Sequence, residues 1–137
     1  MKASRPKITT PRSSGARRSA TKSGESYCPD AGDFIWINFD PTKGREQCGY
    51  RPAIVLSPRA YNERTGLCVA CPITSRARGF RLEVPIRAGG VVSGGVVLAD
   101  QVSKLSWIER HANFGAAAPA AVLDEVRAKI AALIEIE

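Results

Sequence analysis

Two apolar runs separated by a polar loop constrain the fold of this chain more than any other feature. The first run extends from Phe34 to Phe39 and breaks at Asp40-Pro41, and the second follows Pro52. Proline has no backbone N–H and is disfavoured inside a sheet, so the two prolines predict the boundaries of strands. The residues between them are polar, charged and punctuated by glycine. We therefore expect two core strands that carry a functional loop, because rigid scaffolds commonly present chemistry on such loops.

The rest of the chain continues this pattern of short apolar runs. Period-two and continuous apolar stretches predict strands at 34–39, 53–57, 67–73, 80–86 and 95–100, with a further short strand around 108–114. A helix is predicted from Pro119, with one apolar stripe formed by Val122, Val126, Ile130, Leu133 and Ile134. Several short strands followed by one helix indicate a mainly β fold with a C-terminal α-helix. Such a sheet is expected to bend strongly or to form a small barrel, which hides its edges.

The first 26 residues have a different composition from the rest of the chain. They contain seven Lys or Arg against one Glu, only one Ile and no aromatic residue. This is too little apolar surface to offset the entropy of ordering, so residues 1–26 are predicted to be a disordered basic tail and residues 27–137 one domain. The domain itself holds thirteen basic against twelve acidic residues and is nearly neutral. The tail is either a source of salt-sensitive attraction to nucleic acid or a dispensable extension.

The four cysteines and the single histidine argue against a metal site. Cys68 and Cys71 lie three residues apart in a predicted strand, so their thiols are expected to point to opposite faces. Structural zinc needs four convergent ligands, and His111 is not spaced as a ligand with any cysteine. We expect reduced core thiols, no cofactor and no metal. No apolar stretch is long enough to cross a membrane, so no membrane association is expected.

The remaining polar residues suit one reaction, the cleavage of RNA by its own 2′-hydroxyl. A single histidine excludes a paired-histidine site within one chain, and no Walker loop is present. The guanidinium of Arg51 matches phosphate geometry, and the hydroxyl of Thr74 is able to hydrogen-bond a non-bridging oxygen. Glu46 would either accept the 2′ proton or hold Arg51 in place. Both key residues also have structural readings: Arg51 as the salt-bridge partner of Glu46 or Asp40, and Thr74 as a strand end. Tyr50, expected to be exposed beside Arg51, is a candidate for stacking on RNA.

Several segments of the sequence resemble the MazF/PemK family of bacterial toxin ribonucleases. They follow one another between Tyr27 and Ile134: Pro29 to Asp33 with Ile35-Trp36, Phe39 to Ser57, Tyr61 to Ser75, Leu98 to Val102, and Lys129 to Ile134. The resemblance implies a small SH3-like β-barrel with a C-terminal helix that works as a cytoplasmic homodimer. It implies a metal-independent endoribonuclease that cuts single-stranded mRNA at short sequences, leaves a 2′,3′-cyclic phosphate and a 5′-hydroxyl, and stops translation. It also implies a cognate antitoxin whose acidic segment blocks the RNA groove.

Carried over residue by residue, the resemblance implies that Arg51 and Thr74 are catalytic and that Glu46 takes part. The residues expected to bind RNA surround these positions: Asp40, Lys43, Gln47, Tyr50, Ser75, Arg76 and Arg78, with Arg81 further along the same loop. Position 50 is a histidine in some relatives and a tyrosine here, so no histidine acid is expected at that point. The alternative is a noncatalytic toxin on the same barrel, which inhibits DNA gyrase by binding.

Overall fold

The structure is a computed structural model that describes residues 27–39, 50–87 and 94–135. The predicted tail, 1–26, lies outside the described residues. So do four of the predicted site residues: Asp40, Lys43, Glu46 and Gln47. Within the described ranges, no helix has both the length and the apolar character needed to cross a membrane.

The described part of the chain contains seven strands, two α-helices and one 3-10 helix. The strands are β1 (Asp33–Asn38), β2 (Tyr50–Val55), β3 (Leu67–Thr74), β4 (Glu83–Pro85), β5 (Val96–Leu98), β6 (Ser103–Ser106) and β7 (Asn113–Ala117). The helices are α1 (Arg59–Thr65), α2 (Ala120–Leu133) and the 3-10 helix at Ala99–Gln101. The predicted mainly β fold with a C-terminal helix is therefore confirmed.

The strands pair antiparallel in one sheet, in the order β4-β5-β3-β2-β1-β7. The longest strand, β3, pairs with different strands along its length. The first half of β3, Leu67–Ala70, pairs with β6, whereas Ile73 and Thr74 at its end pair with β5. On this edge of β3, the pairing partner thus changes from β6 to β5 before Thr74.

Alternation along the strands distributes the apolar side chains into two buried clusters. The first, here the helix-side cluster, contains Phe34, Ile54, Cys71, Ile73, Val84, Ile86, Val97, Ala99, Val122 and Val126. The second, the far-side cluster, contains Tyr27, Ile35, Ile37, Ala53, Val55, Cys68, Ala70 and Leu105. Successive residues of a strand point to opposite faces, so β1, β2 and β3 contribute to both clusters. Cys68 and Cys71 fall in different clusters, which confirms that their thiols diverge.

The sequence predicted the central strands well and the small elements poorly. β2 begins at Tyr50 rather than at 53, so Arg51 and Pro52 belong to the strand. The strands predicted at 80–86 and 95–100 are each reduced to three residues, β4 and β5. The stretch predicted as a strand at 108–114 forms turns up to residue 112, and β7 follows it. β6 was missed, because among its four residues only Leu105 is buried and no apolar alternation exists.

Helix α1 was also missed, since its sequence reads as a turn. Its only buried residue is Asn62, so no apolar stripe announces the helix. Gly66 is its C-terminal cap: it adopts a left-handed φ of 74° and donates its N–H to the carbonyl of Asn62. Glycine takes this conformation without steric cost, which is why it ends helices so often.

Helix α2 covers the helix-side cluster as predicted, but over a shorter stripe. Val122 and Val126 are buried, and Ile130 packs against the cluster from its edge. Leu133 and Ile134, predicted on the same face, are 46% and 58% exposed. The apolar contact of the helix therefore ends at Ile130, one turn before the helix does.

Candidate active site

The two residues predicted to be catalytic come from neighbouring strands and occupy the same face of the sheet. β2 and β3 pair Ala53 with Pro72 and Val55 with Ala70. Continuing this register by two residues on each strand places Arg51 opposite Thr74. Both positions share the parity of residues that face the far-side cluster, such as Ala53 and Ala70. That these two residues act together in catalysis stays a prediction.

The ladder between β2 and β3 stops before it reaches the two site residues. Its last pair is Ala53 with Pro72, and the next residue of β2 is Pro52, which has no N–H to donate. On the other side, β3 turns to β5, where Thr74 pairs with Val96. Beyond Ala53 the backbones of β2 and β3 are therefore not tied together, while β1 holds Arg51 opposite Ile37. Arg51 is exposed and Thr74 is half-buried, which leaves both side chains open to a ligand.

The hydroxyl of Thr74 is partly occupied by the chain that follows it. Its oxygen accepts a hydrogen bond from the backbone N–H of Arg76 at 3.2 Å. A hydroxyl carries one donor and two acceptor positions, so this bond fixes the side chain without using its proton. Thr74 donates no hydrogen bond to any residue that the structure describes. The proton remains available for an anionic oxygen.

A turn that follows Thr74 presents three arginine side chains to solvent. Arg76, Arg78 and Arg81 are all exposed, as is Ser75. The turn closes on the carboxylate of Glu83, which is only 9% exposed. Arg78 donates its backbone N–H to both carboxylate oxygens at 3.1 Å, and Gly79 donates to Oε1 at 3.0 Å. Glu83 escaped the sequence analysis, because a single acidic residue before an apolar strand has no distinguishing pattern.

Tyr50 has a structural role that its sequence context did not indicate. It is half-buried rather than exposed. Its hydroxyl donates to the backbone carbonyl of His111 at 2.7 Å and accepts from the side-chain amide of Asn113. These bonds fasten the start of β2 to the start of β7. Stacking of the Tyr50 ring on RNA stays a prediction.

Arg110 forms a second attachment in the same region, at the end of β1. Its guanidinium donates to the carbonyls of Asn38 and Phe39, at 3.1 and 2.8 Å. The backbone N–H of Asn38 donates in return to the carbonyl of Arg110. About seventy residues of sequence separate these groups, and no local pattern in the sequence signals the contact.

The thiols are poor candidates for nucleophilic chemistry. Burial raises the pKa of Cys68 and of Cys71 to about 12 and that of Cys28 to about 11. A thiolate is the reactive form of cysteine, and these groups stay protonated near neutral pH. All three are free and buried, which confirms the prediction of reduced core thiols for the cysteines described; Cys48 lies outside these ranges. No group of three or more potential metal ligands converges within 27–39, 50–87 and 94–135.

The antiparallel sheet with its C-terminal helix is the fold of a known class of small toxins. The chain belongs to the family of PemK-like, MazF-like toxins of type II toxin–antitoxin systems, whose sequence model matches residues 30–134. It is 46% identical over 108 residues to the endoribonuclease toxin MazF of Escherichia coli strain K12. The aligned region covers 79% of this chain and 96% of that relative.

Solved structures give the same assignment. MazF (Form-I) from Deinococcus radiodurans superimposes with a TM-score of 0.71 and 53% identity, over 80% of this chain and 99% of that one. A MazE–MazF complex (Form-II) from the same organism gives 0.71 and 50%, over 81% and 99%. The predicted MazF/PemK type of fold is thereby confirmed.

Proposed function

We propose that this chain is an endoribonuclease toxin that cuts single-stranded mRNA without a metal ion, stops translation and thereby inhibits growth. The proposal is supported by the position of Arg51 and Thr74 on the neighbouring strands β2 and β3, each two residues beyond the last pair of the ladder, Ala53 with Pro72. The endoribonuclease names of relatives with up to 46% identity support the same activity. The proposed site binds one phosphodiester of the RNA.

The proposed reaction needs no nucleophile from the protein. The 2′-oxygen of the RNA attacks the adjacent phosphorus and loses its proton, the bond from phosphorus to the 5′-oxygen breaks, and that oxygen takes up a proton. The products are a 2′,3′-cyclic phosphate and a 5′-hydroxyl. Negative charge accumulates on the non-bridging oxygens during the reaction. A planar guanidinium at Arg51 and a hydroxyl donor at Thr74 supply preorganised hydrogen bonds to these oxygens.

The rest of the proposed site surrounds this pair. Glu46 accepts the 2′ proton or orients Arg51, and Asp40, Lys43 and Gln47 line the groove with it; these four lie outside the described residues. Ser75, Arg76 and Arg78 contact the RNA from the exposed turn after Thr74, and Tyr50 borders the groove. The proposal includes a cytoplasmic homodimer and a cognate antitoxin, the latter supported by the MazE–MazF complexes among the similar structures.

The test is cleavage of a long defined RNA by purified protein in EDTA, with the cuts mapped by primer extension. We expect discrete cuts at one short sequence, and no cut where the 2′-hydroxyl at that site is replaced by hydrogen. Arg51→Ala should lower the cleavage rate about 10²–10³-fold or more, the usual effect of losing one preorganised donor. Its free energy of unfolding should change by less than about 0.5 kcal/mol, because the side chain is exposed.

The matched control is Arg64→Ala, which removes another exposed arginine, from helix α1. It should cleave at the wild-type rate. An Arg51→Ala protein that cleaves as well as the control would refute the assignment of the site. A folded wild-type protein that leaves all RNA intact but blocks DNA supercoiling would instead establish the noncatalytic gyrase inhibitor.

A further inference from the structure

The turn after Thr74 carries a large aromatic side chain that the proposed reaction does not use. Phe80 is 63% exposed, the highest value among the large apolar side chains in the described ranges. A single exposed apolar residue needs no explanation by itself. The surroundings of Phe80 are what make it informative.

The first feature of the surroundings of Phe80 is their positive charge. Arg78 precedes Phe80 by two residues and Arg81 follows it directly, and residues 75–82 contain three arginines and no acidic side chain. None of these guanidinium groups forms a salt bridge with a carboxylate among the residues described. Their positive potential is not neutralised locally and attracts a polyanion. An aromatic ring set among cations is the usual composition of single-strand binding surfaces, where cations follow the backbone and rings stack on bases.

The second feature of the surroundings of Phe80 is the backbone on both sides of the ring, which is held by hydrogen bonds. Gly79 donates its N–H to Glu83, and the carbonyl of Arg81 accepts from the ammonium group of Lys129 on helix α2 at 2.7 Å. The carbonyl of Phe80 itself accepts from the N–H of Glu83. The ring therefore projects from a turn whose shape is set before any ligand arrives. Preorganisation of this kind lowers the entropy cost of binding.

From this charge and this anchoring we infer that Phe80 stacks on a base of the bound RNA, close to the phosphate held by Arg51 and Thr74. The inference deepens the proposed function and rests on it. Phe80 is six positions beyond Thr74, so the two Cα atoms lie at most ~22 Å apart, which is within the span of a short RNA. Phe80 is accordingly a specificity-determining residue that selects which base is accepted at one position of the recognised sequence.

The experiment measures RNA binding and RNA cleavage separately. An RNA with a 2′-deoxy nucleotide at the mapped cut site is bound but not cut, so its dissociation constant is accessible by fluorescence anisotropy. Phe80→Leu keeps the apolar bulk and removes the planar face, whereas Phe80→Trp keeps a planar face. We expect Phe80→Leu to weaken binding roughly 5- to 100-fold, the range for loss of one stacked base, and Phe80→Trp to bind within a few-fold of wild type.

Ile108→Ala is the control. Ile108 is 57% exposed and lies against Gly66, before the start of β3, whereas Thr74 ends that strand. At about 3.3 Å per residue the two ends of β3 are roughly 23 Å apart. Ile108→Ala should bind and cut RNA as wild type does.

A scan with abasic nucleotides locates the partner base. One abasic position should weaken wild-type binding strongly and the binding of Phe80→Leu little, because the lost base and the lost ring form one contact. Equal losses of affinity in both proteins at every abasic position would overturn the inference. A Phe80→Leu protein that binds the intact RNA with wild-type affinity would overturn it as well. So would a Phe80→Leu protein that binds RNA normally but has lost antitoxin binding or changed its oligomeric state, since the ring would then serve a protein interface.

Failure of the proposed function gives a different result. If wild-type protein cuts no RNA in EDTA, the ribonuclease assignment fails whatever the Phe80 variants do, and absence of RNA binding by wild type would overturn the stacking contact as well. If wild type cuts at one sequence and Phe80→Leu binds and cuts it equally well, only the role of Phe80 is refuted.

Discussion

The carboxylate of Glu83 offers a quantitative test of how the arginine turn is held. Glu83→Gln preserves the size of the side chain but replaces one oxygen by an amide and removes the charge. The two backbone donors, Arg78 and Gly79, now bond to a charged acceptor at 3.0–3.1 Å. A hydrogen bond to a charged group contributes about 1.5–3 kcal/mol and a neutral one about 1 kcal/mol. Over two donors the loss is about 1–4 kcal/mol, and solvent screens it little because Glu83 is 9% exposed.

The consequence for activity follows from where this loss falls. If the turn must be closed for its arginines to contact RNA, a loss of about 2 kcal/mol raises the KM for RNA up to ~30-fold. The turnover number should change by less than about threefold, since Arg51 and Thr74 lie on the strands and not on the turn. Steady-state cleavage of a short RNA and urea unfolding measure the two effects independently. Glu109→Gln, which alters an exposed carboxylate, should leave both KM and stability unchanged.

Two results would refute this reasoning. Unchanged KM together with a lower free energy of unfolding would show that Glu83 stabilises the fold without shaping the RNA surface. A turnover number that falls as steeply as the specificity constant would show that the carboxylate acts on the chemical step.

Two further predictions concern the fold itself. Val126→Ala should lower the free energy of unfolding by about 1–3 kcal/mol, because Val126 is fully buried in the helix-side cluster. Leu133→Ala on the same helix should lower it by well under 1 kcal/mol, because Leu133 is 46% exposed. Equal losses of the two variants in urea unfolding would contradict the assignment of the buried face. Stability should also fall with rising pH, because burial raises the pKa of Cys68 and Cys71 to about 12 and that of Tyr27 well above its ordinary value. Groups that hold their protons more tightly when folded stabilise the protein fully below the unfolded-state pKa, so urea midpoints should be steady to about pH 8 and decline above about pH 9. Tyr27→Phe should reduce the decline above about pH 10; a flat profile in wild type would contradict the buried, neutral state of these groups.

The sequence predicted those parts of the fold in which each residue follows a local rule. Phe34 to Ile37 and Leu67 to Ile73 are apolar runs with buried alternation, and they became β1 and β3 with both faces covered. Val122 and Val126 have helical spacing and became the contact of α2. Helix α1 could not be predicted in this way, because it buries Asn62 alone, and that burial depends on distant partners. The Nδ2 of Asn62 donates to the carbonyls of Pro29 and Ser57, and its Oδ1 accepts from the Ser57 hydroxyl.

In the candidate site, too, some residues could be predicted from the sequence and others could not. Arg51 and Thr74 could be selected by their chemistry and by family resemblance, and their common face follows from strand register. Arg110 and the bonds of the Tyr50 hydroxyl could not be selected, because each connects segments that only the folded chain brings together. Glu83 could not be selected because a single acidic residue before an apolar strand has no distinguishing pattern. The predicted exposure of Tyr50 was wrong, since a tyrosine beside a charged loop residue looks solvated until its partner on β7 is known.

Three attachments around the site have one property in common: each joins a side chain to backbone atoms of other residues. Arg110 binds the carbonyls of Asn38 and Phe39, Lys129 binds that of Arg81, and Glu83 binds the N–H groups of Arg78 and Gly79. Every residue except proline offers the same backbone groups, so these attachments survive when the attached side chain is exchanged. Mutation is therefore free to change the side chains at 76, 78, 80 and 81 while the turn keeps its shape. If this turn contacts RNA as proposed, a lineage built on this scaffold would acquire new target sequences by single substitutions, each in a folded variant.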